Sequence, residues 1–238
     1  VFSGRNTMKL LHCGDVHLDS ALSANLDSDK KKQRKGELLS TFVQMAEYAA
    51  EHEARVVLIA GDLFDGAHVT KRTQNTIKET IARFPAMDFL YLKGNHDTET
   101  FLDVWEERPE NLKTFGTEWT YYRYDNVVIA GAEFTDDNGA SLYDSLVLNR
   151  EDCNIVLLHG QTEKYRSKEK AELVSLGALK NKNIGVIITD HNVHETLSIT
   201  DRTYLLFEGK ILKAGSAEDL ANDEQVRKVY LGKDFKLR

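Results

Sequence analysis

Apolar positions along the chain follow two alternating rhythms. Short, nearly continuous apolar runs stop at glycine: Leu10-Leu11-His12-Cys13 before Gly14, Val56-Val57-Leu58-Ile59-Ala60 before Gly61, and Phe89-Leu90-Tyr91-Leu92 before Lys93-Gly94. Runs of that length, closed by a breaker, read as buried strands. Between them lie stretches with helical apolar spacing. One covers about 35–52, with Leu38, Leu39, Phe42, Val43, Met45, Ala46 and Ala49; the other covers 70–84 and is followed by Pro85. Strand, helix, strand, helix, strand predicts right-handed βαβ units and a parallel sheet covered on both faces.

Further strands are predicted at Asn126–Gly131, Asn154–Leu158 and Ile184–Thr189, whereas 97–125 reads as helical and then loop-like, and 162–179 as a charged helix. Residues 202–207 and 210–215 flank Glu208-Gly209 as a hairpin. Ser216-Ala217-Glu218-Asp219 has the form of a capping box opening a short helix, after which Val226, Val229, Tyr230 and Leu231 form a docking stripe. No internal repeat or low-complexity linker interrupts the series. The fold class expected is α/β, with a hairpin-plus-helix tail.

Composition narrows this little. At 238 residues with 41% hydrophobic and 29% charged positions, the chain reads as one large soluble domain or one domain with an appendage. No apolar run approaches the roughly 20 residues of a membrane span. Val1 to Asn6 reads as an upstream remnant and Met8 as the natural beginning. Cys13 and Cys153 read as buried free thiols of a reducing cytoplasm. The net charge of −7 argues weakly against an obligate, strongly basic nucleic-acid surface. One basic run, Lys30 to Lys35, reads first as a solvated helix start and second as a phosphate-backbone contact.

The chemistry sits where the strands stop. Asp15 and His17 follow the first strand, Asp62 the second, Asn95 and His96 the third, and His159 a later one. Parallel strands align their carboxyl ends, so these residues converge on one rim. Any single one could be a helix cap. Four strand ends each bearing a metal-type ligand point instead to a metal centre, and mixed carboxylate, carboxamide and imidazole donors suit Mn²⁺, Fe²⁺ or Zn²⁺ better than Ca²⁺.

Gly14-Asp15-Val16-His17, Gly61-Asp62, Gly94-Asn95-His96-Asp97 and His159-Gly160 resemble, in order, the first four motifs of the calcineurin-like metallophosphoesterases. The longer wording His12 to Ser20 and Gly61-Asp62-Leu63-Phe64-Asp65 is similar to SbcD-type DNA repair exonucleases, over residues 8–183. The resemblance implies a layered metallophosphoesterase sheet fold flanked by helices. It also implies two divalent metal ions, Mn²⁺ first with Fe²⁺, Zn²⁺ and Mg²⁺ as alternatives, a DNA substrate, and an SMC-like ATPase partner in the cytoplasm. Carried over, Asp15 and His17 bind one metal, Asp62 bridges, and Asn95 and His159 bind the second. His96 becomes the catalytic proton donor, held by Asp97.

The family's fifth motif, Gly-His-x-His, is rewritten here as Thr189-Asp190-His191-Asn192-Val193-His194. His191 and His194 stand in for its two metal-binding histidines. From about 185 to 238 the wording resembles the C-terminal end of a lipopolysaccharide-export-type ABC transporter ATPase, in which His191 would sense nucleotide. Without a Gly-x-x-x-x-Gly-Lys-[Ser/Thr] loop, nucleotide hydrolysis is not expected and no nucleotide-binding residue is assigned. The expected organisation is a chimera, with a nuclease body at 8–183 and a segment at 184–238 that completes or is appended to the same sheet. The function expected is metal-dependent phosphodiester hydrolysis, impaired by the altered fifth motif. The alternatives are a catalytically silent chimeric or binding module and an ABC-type regulatory module; oligomeric state is left open.

Overall fold

The computed structural model describes residues 8–22, 27–66, 69–97, 105, 107–135, 138, 141–162, 173–180, 184, 197, 200–207 and 210–232. Two compact units divide the chain, residues 1–186 and 187–238. In the first, β1 (Leu10–Cys13), β2 (Val56–Ala60), β3 (Asp88–Leu92) and β4 (Leu112–Thr114) form a parallel sheet in that order. A second sheet joins β5 (Thr120–Tyr124) antiparallel to β6 (Val127–Gly131), and β6 parallel to β7 (Cys153–Leu157).

Alternation along β2 explains the layering. Val57 and Ile59, with Phe89 and Tyr91 of β3, point toward α1 (Ser28–Glu51) and α2 (Lys71–Arg83), meeting Leu39, Phe42, Ala46, Ile77 and Ile81. Val56, Leu58 and Ala60, with Leu90 and Leu92, point the other way and pack on Phe115, Tyr124, Ile129 and Leu157 of the second sheet and its approach. Both faces of β2 are therefore buried, and its sequence is apolar throughout. The outer face of the second sheet is closed by Phe134, Leu142, Tyr143, Leu146, Val174 and Leu179.

Both long helices start with side-chain caps, Asp27 accepting from the Lys30 N–H and Thr70 from the Thr73 N–H. The Asp27 cap lies upstream of the apolar spacing, so α1 includes the whole Lys30 to Lys35 run as its first turns.

Three expectations are corrected. The stretch 97–125, read as helical and then loop-like, contains β4 and β5. The expected charged helix over 162–179 is replaced, among the described residues, by short parallel strands β8 (Gln161–Thr162) and β9 (Leu173–Val174) and a five-residue helix, Leu176–Lys180. Cys153 is free but exposed at the start of β7, and Cys13 is free and half-buried, its thiol pushed up to about 12 by burial. The strand expected at Ile184–Thr189 lies outside the described residues from 185 onward.

In the second unit, β10 (Thr203–Phe207) and β11 (Lys210–Gly215) pair as an antiparallel hairpin. Ser216 and Asp219 form a reciprocal capping box at the start of the helix Ala217–Asn222. Leu197, Leu205, Leu220, Ala221 and Val226 make a small core, flanked by Tyr230 and Leu231. Among the described residues, no helix is long and apolar enough to cross a membrane.

Candidate metal centre

β1, β2 and β3 of the first sheet each deliver ligand-type residues within a few positions of their carboxyl ends. The loop after β1 is bound to the loop after β2: the Asp15 N–H donates to Gly61 O (3.3 Å), the His17 N–H to Asp62 O (2.9 Å) and the Leu18 N–H to Leu63 O (2.9 Å). Asp15, His17 and Asp62 all adopt left-handed backbone, with φ of 52°, 48° and 47°. Non-glycine residues hold that conformation at a cost of about 1–3 kcal/mol each, and such strain concentrates at functional sites.

Asp62 is the centre of the arrangement. Its side chain is 5% exposed, and Oδ2 lies 3.9 Å from His17 Nε2 and 3.3 Å from His159 Nε2. Its Oδ1 accepts the His96 N–H at 2.9 Å. His17 Nε2 is also 3.9 Å from Asp15 Oδ1, and one donor atom each of Asp15, His17 and Asp62 lie within 4.8 Å of one another. His159 comes from the end of β7 in the second sheet. Its Nδ1 donates to the Ala60 carbonyl (3.0 Å), which leaves Nε2 as the nitrogen turned to Asp62 and to Asn95 Oδ1, 3.2 Å away. A ring fixed through its other nitrogen by a backbone carbonyl is the usual support for a metal-binding imidazole.

Electrostatics follow the geometry. Burial pushes Asp62 toward its neutral form, but the His159 ring and the His96 N–H outweigh it and hold the carboxyl below its usual value. Burial opposes charge on His159 as well, yet Asp62 lifts its imidazole to about 9. A buried carboxylate facing two imidazole nitrogens, flanked by a second carboxylate and a carboxamide oxygen, fits divalent cations with oxygen and nitrogen preference.

His96 stands apart, its side chain 44% exposed, with its ring set edge-on to His17 at 5.1 Å between centroids. The expectation that Asp97 holds this ring is corrected. His96 Nδ1 pairs instead with Asp65 Oδ1 at 2.9 Å. Hydrogen bonding from Ser20, opposed by burial and reinforced by His96, keeps the Asp65 carboxyl below its usual range. Asp97 is buried beneath the loop, where its oxygens accept the N–H groups of Leu63 (3.2 Å), Phe64 (2.8 Å) and Gly94 (2.9 Å). Burial raises its pKa despite those bonds and one from Tyr91.

The site expectations thus divide. Asp15, His17, Asp62, Asn95, His96 and His159 meet on one rim, Asp97 supports it from below, and His191 and His194 lie outside the described residues. Asp65 was missed, although the spacing Gly61-Asp62-x-x-Asp65 within the quoted motif was its signal.

Two close approaches explain glycines in these motifs. A Cβ on Gly61, whose φ is 78°, would overlap the His159 ring, and one on Gly94 would overlap Asp62 Oδ1.

Comparison with known proteins sets this rim in context. The lipopolysaccharide export system ATP-binding protein LptB of Haemophilus influenzae is 54% identical over 59 residues, 25% of this chain and 24% of that protein. The same-named protein of Klebsiella oxytoca is 46% identical over 59 residues, 25% of this chain and 87% of that sequence. The chain spans about a quarter of the length of the Haemophilus relative. The crystal structure of Pseudomonas putida nuclease MPE is similar at 17% identity and a TM-score of 0.32, covering 50% of this chain and 52% of that one, too remote to carry an argument. The calcineurin-like phosphoesterase family matches residues 8–229, a span that takes in every strand end bearing the rim's donors. By that match the chain belongs to the calcineurin-like phosphoesterase family.

Proposed function

We propose that the protein is a metal-dependent phosphodiesterase acting on DNA, of the SbcD nuclease type. The observation that carries this reading is Asp62, a buried carboxylate whose Oδ2 faces the Nε2 atoms of both His17 and His159. Asp15 and His17 would hold one cation with Asp62, and Asn95 and His159 a second with the same carboxylate; His191 and His194 are offered as further ligands. Divalent cations, Mn²⁺ first, supply Lewis-acid polarisation of the phosphoryl group and acidification of water at neutral pH.

His96 protonates the departing oxygen. Asp65 accepts the Nδ1–H of the protonated ring, which leaves the Nε2 proton for the departing oxygen, and offsets the ring's charge. Partial solvent access to His96 suits a group that must regain its proton after each turnover. Asp97 positions the loop that carries Asn95 and His96. An SMC-like ATPase partner follows from the SbcD-type resemblance.

Hydrolysis of bis-p-nitrophenyl phosphate during a Mn²⁺ titration tests the chemistry. The expected result is metal-dependent turnover that falls about 10²–10⁴-fold in His96→Ala, the range for one positioned acid. No hydrolysis by the wild type, or an unchanged rate in His96→Ala, overturns it. Cleavage of duplex ends tests the DNA assignment, and activity on small diesters alone would refute it.

A further inference from the structure

A helix that follows a parallel strand runs back along the sheet, so its first turn lies at the strands' carboxyl edge. The starts of α1 and α2 therefore stand on the rim that carries Asp15, Asp62 and Asn95. The amino end of a helix is electropositive and is stabilised by acidic residues. α1 keeps that rule in its first turn, through the Asp27 cap and Asp29, and α2 breaks it. α2 has no acid in its first turn and opens with Lys71-Arg72, while α1 has Asp29 followed by Lys30, Lys31, Lys32, Arg34 and Lys35. In a chain of net charge −7, Lys71 and Arg72 at the electropositive end of α2 work against that helix, and the cations of α1 gather one turn in from its acidic cap.

Both helix starts are fastened to the loop that carries His17. Lys35 Nζ donates to the Asp19 carbonyl at 3.0 Å, and Asp19 Oδ2 accepts the N–H of Thr70, the cap of α2, at 2.7 Å. The cations are thus held in register with the metal-binding residues. Lys30 is offset by Asp27 (3.2 Å) and Arg34 by Glu37 (2.6 Å). Among the described residues, no carboxylate lies within ion-pair distance of Lys31, Lys32, Lys71 or Arg72. Lys31 precedes half-buried Lys35 by one helical turn, on the stripe that continues into the core as Leu38 and Phe42. Lys31 thus continues the core stripe onto the rim, while Lys32, Lys71 and Arg72 are exposed.

We propose that the first turns of α1 and α2 form a cationic track, with Lys31, Lys32, Lys71 and Arg72 contacting phosphates of a nucleic-acid strand. This rests on the phosphodiesterase reading above and supplies the polymer preference that the metal-binding residues lack. The track gives affinity by counterion release and no sequence selectivity.

The test is binding of a fluorescein-labelled single-stranded oligonucleotide to the full chain, measured by anisotropy in chelator across a salt titration. Lys31→Gln/Lys32→Gln/Lys71→Gln/Arg72→Gln should lower the steepness of log K against log salt by about 3, each phosphate contact on a single strand contributing about 0.7. The pairs Lys31→Gln/Lys32→Gln and Lys71→Gln/Arg72→Gln should each remove about half of that, and Lys31→Arg/Lys32→Arg/Lys71→Arg should keep the wild-type slope. Thermal unfolding checks that each variant is folded. A wild type that binds no oligonucleotide, or substituted chains that keep its affinity and slope, overturns the track. Bis-p-nitrophenyl phosphate separates the two claims. Hydrolysis with an unchanged salt slope keeps the chemistry and refutes the track, and a reduced slope without hydrolysis keeps the track and refutes the chemistry.

Discussion

Gly94→Ala tests the packing on which the centre depends. A methyl group there would overlap Asp62 Oδ1 and lie 2.5 Å from the Asp62 amide nitrogen and 2.8 Å from its carboxyl carbon. Backbone preference is not the obstacle, since Gly94 is not among the glycines of positive φ, Gly61, Gly66, Gly160 and Gly232. The collision itself sets the cost. Asp62 cannot simply lean away, because its N–H end is backbone at φ 47° and its Oδ1 is held by the His96 N–H at 2.9 Å. Turning the carboxylate outward loses a charge-assisted hydrogen bond, about 1.5–3 kcal/mol. Pushing the end of β3 back instead costs overpacking strain of about 1–3 kcal/mol. Urea unfolding in chelator should therefore show Gly94→Ala destabilised by about 2–4 kcal/mol. Mn²⁺ affinity by calorimetry should fall about 10–100-fold, the usual consequence of disturbing what orients a ligand. Gly116→Ala is the control: nothing lies within 4 Å of a Cβ there, so a change within about 0.5 kcal/mol is expected. Wild-type stability and Mn²⁺ affinity in Gly94→Ala, or an equal loss in Gly116→Ala, would refute the reasoning.

Other perturbations report on different parts of the molecule. Asp65→Asn removes the charge beside His96 Nδ1 and should lower turnover of a small diester by about 10–100-fold while leaving Mn²⁺ affinity intact; a loss confined to metal binding would assign Asp65 elsewhere. Asp97→Ala strips the acceptor from three backbone N–H groups, those of Leu63, Phe64 and Gly94, and should cost about 3–5 kcal/mol in unfolding free energy, with Asp97→Asn recovering part of it. His12 lies on the face of β1 shared with Leu10, toward the second sheet, and burial holds its imidazole below 6.5. The unfolded chain then takes up that proton at higher pH than the folded one. Its contribution is fully present above pH 6.5 and is lost as pH falls through 6.5 toward the lowered folded value, with a slope of at most about 1.4 kcal/mol per pH unit. Unfolding midpoints of wild type and His12→Gln should diverge across that window, and parallel curves would sink the assignment.

What the chain discloses before folding depends on how many faces of an element are buried. β2 and β3 are covered by helices on one side and a sheet on the other, so they read as unbroken apolar runs. β4 is three half-buried residues, Leu-Lys-Thr, at the edge of its sheet, too short to show a period. β5 alternates half-buried and exposed positions, and its signal was the aromatic Thr-Tyr-Tyr-Arg-Tyr run ending at the Asp125-Asn126 turn into β6. The rim was legible for a similar reason, because parallel strands bring their ends together whatever the loops do.

Pairings within the rim were not legible, and the exchange of partners between two loops shows why. Asp97 is next to His96 in sequence, but successive residues on a tight turn point apart. Asp97 reaches back to the N–H groups of Leu63 and Phe64 in the loop after β2. That loop returns Asp62 to the His96 N–H and Asp65 to the His96 ring, and the Gly66 N–H donates to the His96 carbonyl at 3.1 Å. Each loop's acids accept hydrogen bonds from the other loop, so each conformation supports the other. Sequence spacing reports the members of such a lattice and hides its bonds, since those that join the two loops cross 30 positions or more. The same reciprocity makes the acids energetically coupled. Once Asp97→Ala has loosened the loop after β2, the further loss from Asp65→Asn should be smaller than in the wild type, a non-additivity of about 0.5–3 kcal/mol that separated sites would not show.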